Sequence, residues 1–179
     1  MPGVLSIVES ARVATDADLA IATSGNRDKQ FPVIEGAGLE LEWFDVVVTG
    51  DDVTRKKPDP QIYEITAEKL GLTPERCVVL EDAPAGVASA KAAGATCIAV
   101  TSSVEADKLS DADLVVESLS EVSVAQMRHM VLPWKVSRLL TRGYSSTFTT
   151  SFSTFPSPTI GAWASSGKKI TNMSSSSGQ

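Results

Sequence analysis

The chain has 179 residues, enough to bury the core of one domain. Residues 1–132 hold all 22 acidic residues and residues 133–179 hold none, and this acidic main part disfavours nucleic acid as a partner because phosphate contacts need clustered Lys and Arg. No apolar run has the length of a transmembrane helix and no secretory signal pattern opens the chain, so we expect a soluble, cytoplasmic protein without a membrane partner.

Apolar runs and helical spacings alternate along residues 1–132. Strands that alternate with helices, and that are apolar almost throughout, indicate a parallel α/β sheet with helices on both faces. In chain order we predict a helix from Val4, a strand at Leu19–Ala22, a helix within Asp28–Leu39, a strand at Phe44–Val48, a helix at Pro60–Leu70, a strand at Val78–Leu80, a helix at Val87–Ala93, strands at Ile98–Val100 and Leu114–Val116, and a closing helix at Ser118–Met130.

Three short polar segments stand where α/β folds bind their ligands. One follows the first predicted strand, one lies in the loop before the Pro60 helix and one ends the 78–80 strand: Thr23-Ser24-Gly25, Lys56-Lys57-Pro58 and Glu81-Asp82. Ligands of such sheets bind beyond the carboxyl ends of the strands. Because two adjacent carboxylates repel each other and are hard oxygen ligands, we predict Mg²⁺ as the cofactor.

The order and spacing of these segments resemble the haloacid dehalogenase-like (HAD) hydrolases, in particular their small-molecule phosphatase and phosphomutase branch. The resemblance runs from about Pro2 to Met130 and includes three of the family's four motifs. It implies a Rossmann-like sheet and Mg²⁺-dependent hydrolysis of a small phosphorylated metabolite. The cap that contributes much of the family's substrate specificity is absent, so the resemblance does not identify the substrate.

The resemblance assigns phosphate binding to the first two segments. The Thr23 hydroxyl, with the N–H groups of Ser24 and Gly25, would hold a phosphate oxygen. Lys57 would neutralise charge on the nucleophile and the phosphate, and Thr23 and Lys57 are therefore the predicted catalytic residues. Two alternatives stay open: Thr23 as an ordinary helix-capping turn residue, and Lys56 as the competing lysine.

The resemblance assigns the metal to the third segment. Asp82 would bind Mg²⁺ directly, and Glu81 would act through water or by orienting Asp82. The alternative is a helix N-cap with a neighbouring solvated acid. Gly86 and the small residues after it would allow close packing of the next helix on the sheet.

The motif that carries the family's nucleophilic aspartate is absent, so this chain resembles the C-terminal part of such an enzyme. In the family that motif lies on a central strand, and we expect the sheet to be incomplete, with exposed edges that permit association. Either strands 19–22 and 78–80 pair directly, or another segment fills the slot, or the chain is unstable alone. Asp16-Ala17-Asp18 has the motif's spacing but no preceding strand, and we interpret it as a solvated turn.

Two functions follow from this pattern. In the first, the chain is part of a phosphomonoester hydrolase, a truncated form with little activity alone. In the second, it is a non-catalytic pseudo-phosphatase that binds phosphate or Mg²⁺ for regulation. Coding DNA upstream of Met1 would separate them, and we expect an in-frame strand followed by Asp-x-Asp-Gly-Thr.

Residues 133–179 differ from the rest of the chain. They contain 19 Ser or Thr and end in a run of four serines at 174–177. Such a segment has too few apolar residues in register to offset the entropy of ordering, so we predict a disordered tail after a 1–132 core. Docking through its scattered aromatic residues and a mis-translated end are the alternatives.

Overall fold

The computed structural model describes residues 1–14 and 17–131 and the backbone of residues 161–164. Within these residues the helices and strands alternate, as the apolar pattern predicts. The helices are α1 (Val4–Val13), α2 (Arg27–Gly36), α3 (Gln61–Lys69), α4 (Pro84–Ala93) and α5 (Val124–Val131), and the strands are β1 (Leu19–Ala22), β2 (Val46–Val48), β3 (Cys77–Glu81), β4 (Thr96–Val100), β5 (Leu114–Val116) and β6 (Gly161–Ala164).

All six strands form one parallel sheet in the order β2-β1-β6-β3-β4-β5. Successive side chains of a strand point to opposite faces, so β3 contributes Val78 and Leu80 to one apolar cluster and Val79 to the other. Buried residues of α1 and α5 belong to the first cluster, and those of α3 and α4 belong to the second. The predicted α/β fold with helices on both faces is confirmed.

Four residues of the 133–179 segment form the strand β6, and the disordered tail stays a prediction for the rest of that segment. Gly161–Ala164 pairs in parallel with β1 on one side and with β3 on the other. Another segment thus fills the central slot, and the β1 and β3 edges are covered. The strand is short and has no β-branched residue, which is why the sequence pattern of a Ser/Thr-rich segment did not indicate it. The rest of 133–179 lies outside the described residues.

Two helix predictions need correction. The closing helix does not run through Ser118–Met130, because the Ser118 hydroxyl and the Glu121 carboxylate cap a single 3-10 turn at Leu119–Glu121. Helix α5 then begins separately at Val124, where the hydroxyl of the preceding Ser123 accepts a hydrogen bond from the N–H of Gln126. Helix α4 begins at Pro84 rather than Val87, since proline is favoured in a first helical turn.

No helix among the described residues is both long enough and apolar enough to cross a membrane. The cytoplasmic location stays a prediction.

Candidate functional site

A cavity of about 380 Å³ at the carboxyl edge of the sheet, called here the phosphate cavity, brings the three polar segments together. Its lining includes every residue to which the sequence assigned a role: Thr23, Ser24, Gly25, Lys57, Glu81 and Asp82. The competing lysine, Lys56, is exposed and is not part of the lining. The sheet edge therefore places a hydroxyl, an ammonium group and a carboxylate pair around one space, and the role of each stays a prediction.

The Thr23 side chain is buried, and its hydroxyl both donates and accepts a hydrogen bond. It accepts one from the N–H of Gly25 at 3.3 Å and donates its proton to Oε1 of Gln30 at 3.3 Å. A phosphate oxygen that takes the Thr23 proton must therefore replace the Gln30 amide. Gln30 also lines the cavity, and the sequence analysis missed it. Gln30 lies in the second turn of α2, and this helix begins only four residues after Thr23. That closeness in sequence was the signal that could have identified Gln30.

The loop after β2 supports the loop that carries Thr23. The N–H of Gly50 donates to the carbonyl of Gly25 at 2.9 Å. The Asp51 carboxylate accepts hydrogen bonds from the N–H of Arg27 at 2.8 Å and from the Asn26 amide at 3.0 Å, and so caps the start of α2. A Cβ atom at Gly50 would lie 2.3 Å from the carbonyl oxygen of Ser24. The absence of a side chain at Gly50 is what lets these two loops meet.

The variant Gly50→Ala is expected to push the Ser24 backbone away and to weaken phosphate binding about tenfold, because small displacements of binding groups are costly. Gly36→Ala is the matched control, since a Cβ atom at Gly36 meets nothing within 4 Å. Isothermal titration with inorganic phosphate measures both variants. Equal affinities for Gly50→Ala and Gly36→Ala would contradict the supporting role of the Gly50 loop.

Lys57 and Glu81 form a buried ion pair in the wall of the cavity. Nζ of Lys57 lies 2.6 Å from Oε1 of Glu81, and the two side chains are 7% and 0% exposed. The Tyr63 hydroxyl donates to the same Glu81 oxygen, and the Lys57 ammonium lies 4.7 Å from the centre of the Tyr63 ring. Burial and the adjacent Glu81 charge raise the pKa of Tyr63 well above its usual value, so Tyr63 stays protonated and remains a donor.

Gly86 makes room for this pair, which refines its predicted role in helix–sheet packing. A Cβ atom at Gly86 would lie 2.0 to 2.2 Å from the carboxyl atoms of Glu81. The second Glu81 oxygen accepts from the N–H of Asp82 at 3.2 Å. Both Glu81 oxygens therefore accept hydrogen bonds: one from Lys57 and Tyr63, and the other from the backbone.

Asp82 is oriented by two hydroxyls that the sequence analysis missed. Its Oδ2 atom accepts from the Ser103 hydroxyl at 2.8 Å and from the Ser102 hydroxyl at 3.3 Å. Both serines follow β4, which pairs with β3, so their approach to Asp82 follows from the parallel pairing. The other carboxylate oxygen of Asp82 accepts no hydrogen bond from the residues that the structure describes.

Of the two carboxylates, only Asp82 is arranged to bind Mg²⁺ directly. Mg²⁺ is usually held by one or two carboxylates and completes its shell with water and substrate phosphate. Asp82 offers one oxygen that no described residue binds, whereas Glu81 would have to leave Lys57 and Tyr63 to become a ligand. In the described part of the chain no group of three or more His, Cys, Asp or Glu side chains could hold a metal ion. Asp82 as direct ligand and Glu81 as its neighbour therefore stays a prediction.

No carboxylate reaches this cavity from the central strand, because β6 consists of Gly, Ala, Trp and Ala. Asp18 precedes β1 and lies at the opposite, amino edge, where burial and the Asp45 charge raise its pKa. Asp16 lies outside the described residues. Burial raises the pKa of the Cys77 and Cys97 thiols to about 12, so neither is a thiolate nucleophile at neutral pH.

Comparisons with known proteins agree on one family. A sequence profile described as haloacid dehalogenase-like hydrolase matches residues 1–100. Validoxylamine A 7'-phosphate phosphatase from Streptomyces hygroscopicus subsp. limoneus is 40% identical over 104 residues, which are 58% of this chain and 48% of that protein. Hexitol phosphatase A from Escherichia coli (strain K12) is 39% identical over 126 residues, which are 70% of this chain and 57% of that protein.

A solved structure is similar to this chain in both fold and sequence. A mutant of CbbY from Rhodobacter sphaeroides, in complex with xylulose-(1,5)bisphosphate, is similar with a TM-score of 0.63 and 32% sequence identity. The similarity covers 69% of this chain and 56% of that one. The chain spans about half the length of the relatives it matches.

Proposed function

Because the chain belongs to the haloacid dehalogenase-like hydrolases, we propose that its phosphate cavity is the phosphate- and Mg²⁺-binding part of a phosphomonoester phosphatase site. The observation that carries the proposal is the convergence of Thr23, Lys57 and Asp82 on one cavity from three separate segments. Two of the relatives are named as phosphatases, which supports the same reaction class. The substrate would be a small phosphorylated metabolite.

The cavity supplies the electrostatic part of phosphoryl transfer. A phosphoryl group in transfer spreads negative charge over its equatorial oxygens, and fixed donors and cations stabilise that charge. The Thr23 hydroxyl would turn its proton from Gln30 to one of these oxygens. Lys57, held in place by Glu81, would attract the phosphate from the cavity wall. Bound Mg²⁺, held by Asp82, would offset further negative charge on the phosphate.

The covalent part of the reaction is not supplied by β6. A carboxylate nucleophile would have to stand on the central strand beside Thr23 and Asp82, and the four residues of β6 carry none. We therefore propose that the 179-residue chain alone hydrolyses phosphomonoesters little, if at all. The lack of an acid in β6 also favours a second candidate, a non-catalytic protein that binds phosphate or Mg²⁺ for regulation.

Binding and hydrolysis measured side by side test the proposal. Inorganic phosphate is expected to bind more tightly with Mg²⁺ than without it, and Asp82→Asn is expected to reduce this Mg²⁺ effect roughly tenfold or more. Asp111→Asn removes the same charge from an exposed position outside the cavity and should change nothing. Titration calorimetry gives the affinities, and p-nitrophenyl phosphate with Mg²⁺ gives the rate.

Three outcomes separate the possibilities. Phosphate that fails to bind in either condition would overturn the proposed cavity function. Binding without hydrolysis agrees with the proposal, and the coding DNA upstream of Met1 then separates a phosphatase from a binding protein. Fast hydrolysis that Asp82→Asn abolishes would mean that another residue of this chain is the nucleophile.

A further inference from the structure

A second cavity lies beside the phosphate cavity and differs from it in character. It has a volume of about 510 Å³, within the range of small-molecule sites, and lies between α1, α2 and β1. Most of its described lining is apolar and includes Leu5, Ile21, Val33, Ile34 and Leu39. None of the residues that bind or orient the predicted metal lines it. We call it the apolar cavity.

The two cavities share a wall made by Thr23 and Gln30, which line both of them. Gln30 is held in that wall from two sides. Its Oε1 atom accepts the Thr23 proton, and its amide is packed against Gly25, where a Cβ atom would lie 2.3 Å from Nε2. A phosphate that takes the Thr23 proton frees the Gln30 amide from the Thr23 hydroxyl. A molecule in the phosphate cavity would then contact Gln30 directly, at the boundary with the apolar cavity.

Charge and hydrogen-bonding capacity distinguish what each cavity can hold. The phosphate cavity has the ammonium group of Lys57, whereas Glu9 is the charged side chain among the described lining of the apolar cavity. Glu9 would repel a second anionic group. The other polar side chains there are Ser6, Thr23 and Gln30, too few to satisfy a polyhydroxylated molecule, and an unsatisfied buried hydroxyl is unfavourable.

We propose that the apolar cavity binds the leaving group of the phosphomonoester and selects a neutral, mainly apolar group, as in an aryl or alkyl phosphate. This inference rests on the proposed phosphate-binding function of the neighbouring cavity. It departs from the carbohydrate phosphates that the names of relatives suggest, because it follows from the lining of this chain. A second phosphate or a sugar ring is the wrong chemistry for a space lined by Leu5, Val33 and Ile34.

Two phosphonates with the same anionic head test the proposal on the full chain with Mg²⁺. Methylphosphonate fills the phosphate cavity alone, and phenylphosphonate adds an apolar ring. Phenylphosphonate is expected to bind about tenfold more tightly, since the ring leaves water for an apolar surface. In methyl-group NMR spectra it should shift the signals of Leu5, Val33 and Ile34, whereas methylphosphonate should not.

Variants at the rim locate the effect without disturbing the core. Leu5 and Val33 are 38% and 40% exposed, so Leu5→Asn and Val33→Asn should fold. Each is expected to lower the affinity for phenylphosphonate roughly threefold or more and to leave methylphosphonate binding nearly unchanged. Val13→Asn, on α1 but 82% exposed and outside the cavity, is the matched control and should change neither affinity.

The outcomes distinguish this inference from the proposed function. If methylphosphonate and inorganic phosphate both fail to bind, the proposed function fails and this inference fails with it. If methylphosphonate binds but the phenyl ring adds no affinity, the phosphate cavity stands and the leaving-group assignment is overturned. A phenyl preference that Leu5→Asn and Val33→Asn leave intact would also overturn it, because the ring would then bind elsewhere.

Discussion

Replacing Lys57 with methionine is expected to lower the free energy of unfolding by about 3 kcal/mol, the usual cost of removing one partner from a buried ion pair. Methionine keeps most of the volume of the lysine stem but leaves the Glu81 carboxylate, which is fully buried, without its cation. The Tyr63 hydroxyl and the N–H of Asp82 remain as donors, so the carboxylate stays partly satisfied. Urea unfolding followed by circular dichroism measures the loss.

Two further variants show whether the loss comes from the pair. Lys56→Met removes the same charge from an exposed neighbour and should cost less than about 0.5 kcal/mol. The double variant Lys57→Met with Glu81→Leu replaces both charges by apolar groups and should recover most of the stability, because no charge is then buried alone. If Lys57→Met costs no more than Lys56→Met, the buried pair does not contribute as the structure indicates.

Gly86→Ala is expected to destabilise the protein by about 1–3 kcal/mol, as overpacking of a full interior does. The effect runs against helix propensity, since alanine is favoured over glycine within a helix by about 1 kcal/mol. The reason is steric: the new Cβ atom would lie 2.0 Å from a carboxyl atom of Glu81, and neither the strand β3 nor the helix α4 can move freely. Displacing Glu81 would also move Lys57 and weaken phosphate binding.

A control and a rescue test this steric explanation. Gly36→Ala adds the same methyl group to a helix where nothing lies within 4 Å, and it should be neutral or slightly stabilising. Adding Glu81→Asp to Gly86→Ala shortens the carboxylate side chain by one carbon and should restore part of the lost stability. A Gly86→Ala protein as stable as the Gly36→Ala protein would contradict a close contact between Gly86 and Glu81.

Both sets of variants concern the Glu81 carboxylate, a charged group that remains buried at the site. Glu81 has three donors, from Lys57, Tyr63 and the backbone of Asp82, and one glycine that leaves it space. Its carboxylate fixes the Lys57 ammonium at the cavity wall. A loss of stability and a loss of phosphate affinity should therefore appear together in Lys57→Met and in Gly86→Ala.

The segments that carry the site could be predicted from the sequence, because their signals are local. A buried strand that runs into Thr23-Ser24-Gly25, a lysine directly before Pro58 and an acid pair at the end of β3 each occupy a few consecutive residues. The fold class followed from the alternation of apolar strands and helices for the same reason. These local patterns were sufficient to identify the α/β sheet and six of the residues that line the phosphate cavity, but not Gln30.

Only the tertiary structure decided which partners hold those residues. Tyr63 reaches Glu81 across 18 positions and Ser103 reaches Asp82 across 21, and no pattern within one segment encodes such pairs. The glycine at 86 could be predicted to allow close packing, but not that a carboxylate fills the space. The central strand β6 is the largest case, since Gly-Ala-Trp-Ala has no β-branched residue and stands in a Ser/Thr-rich segment, so its side chains do not indicate a strand. The sequence determined which groups reach the sheet edge, and packing in three dimensions decided how they are held there.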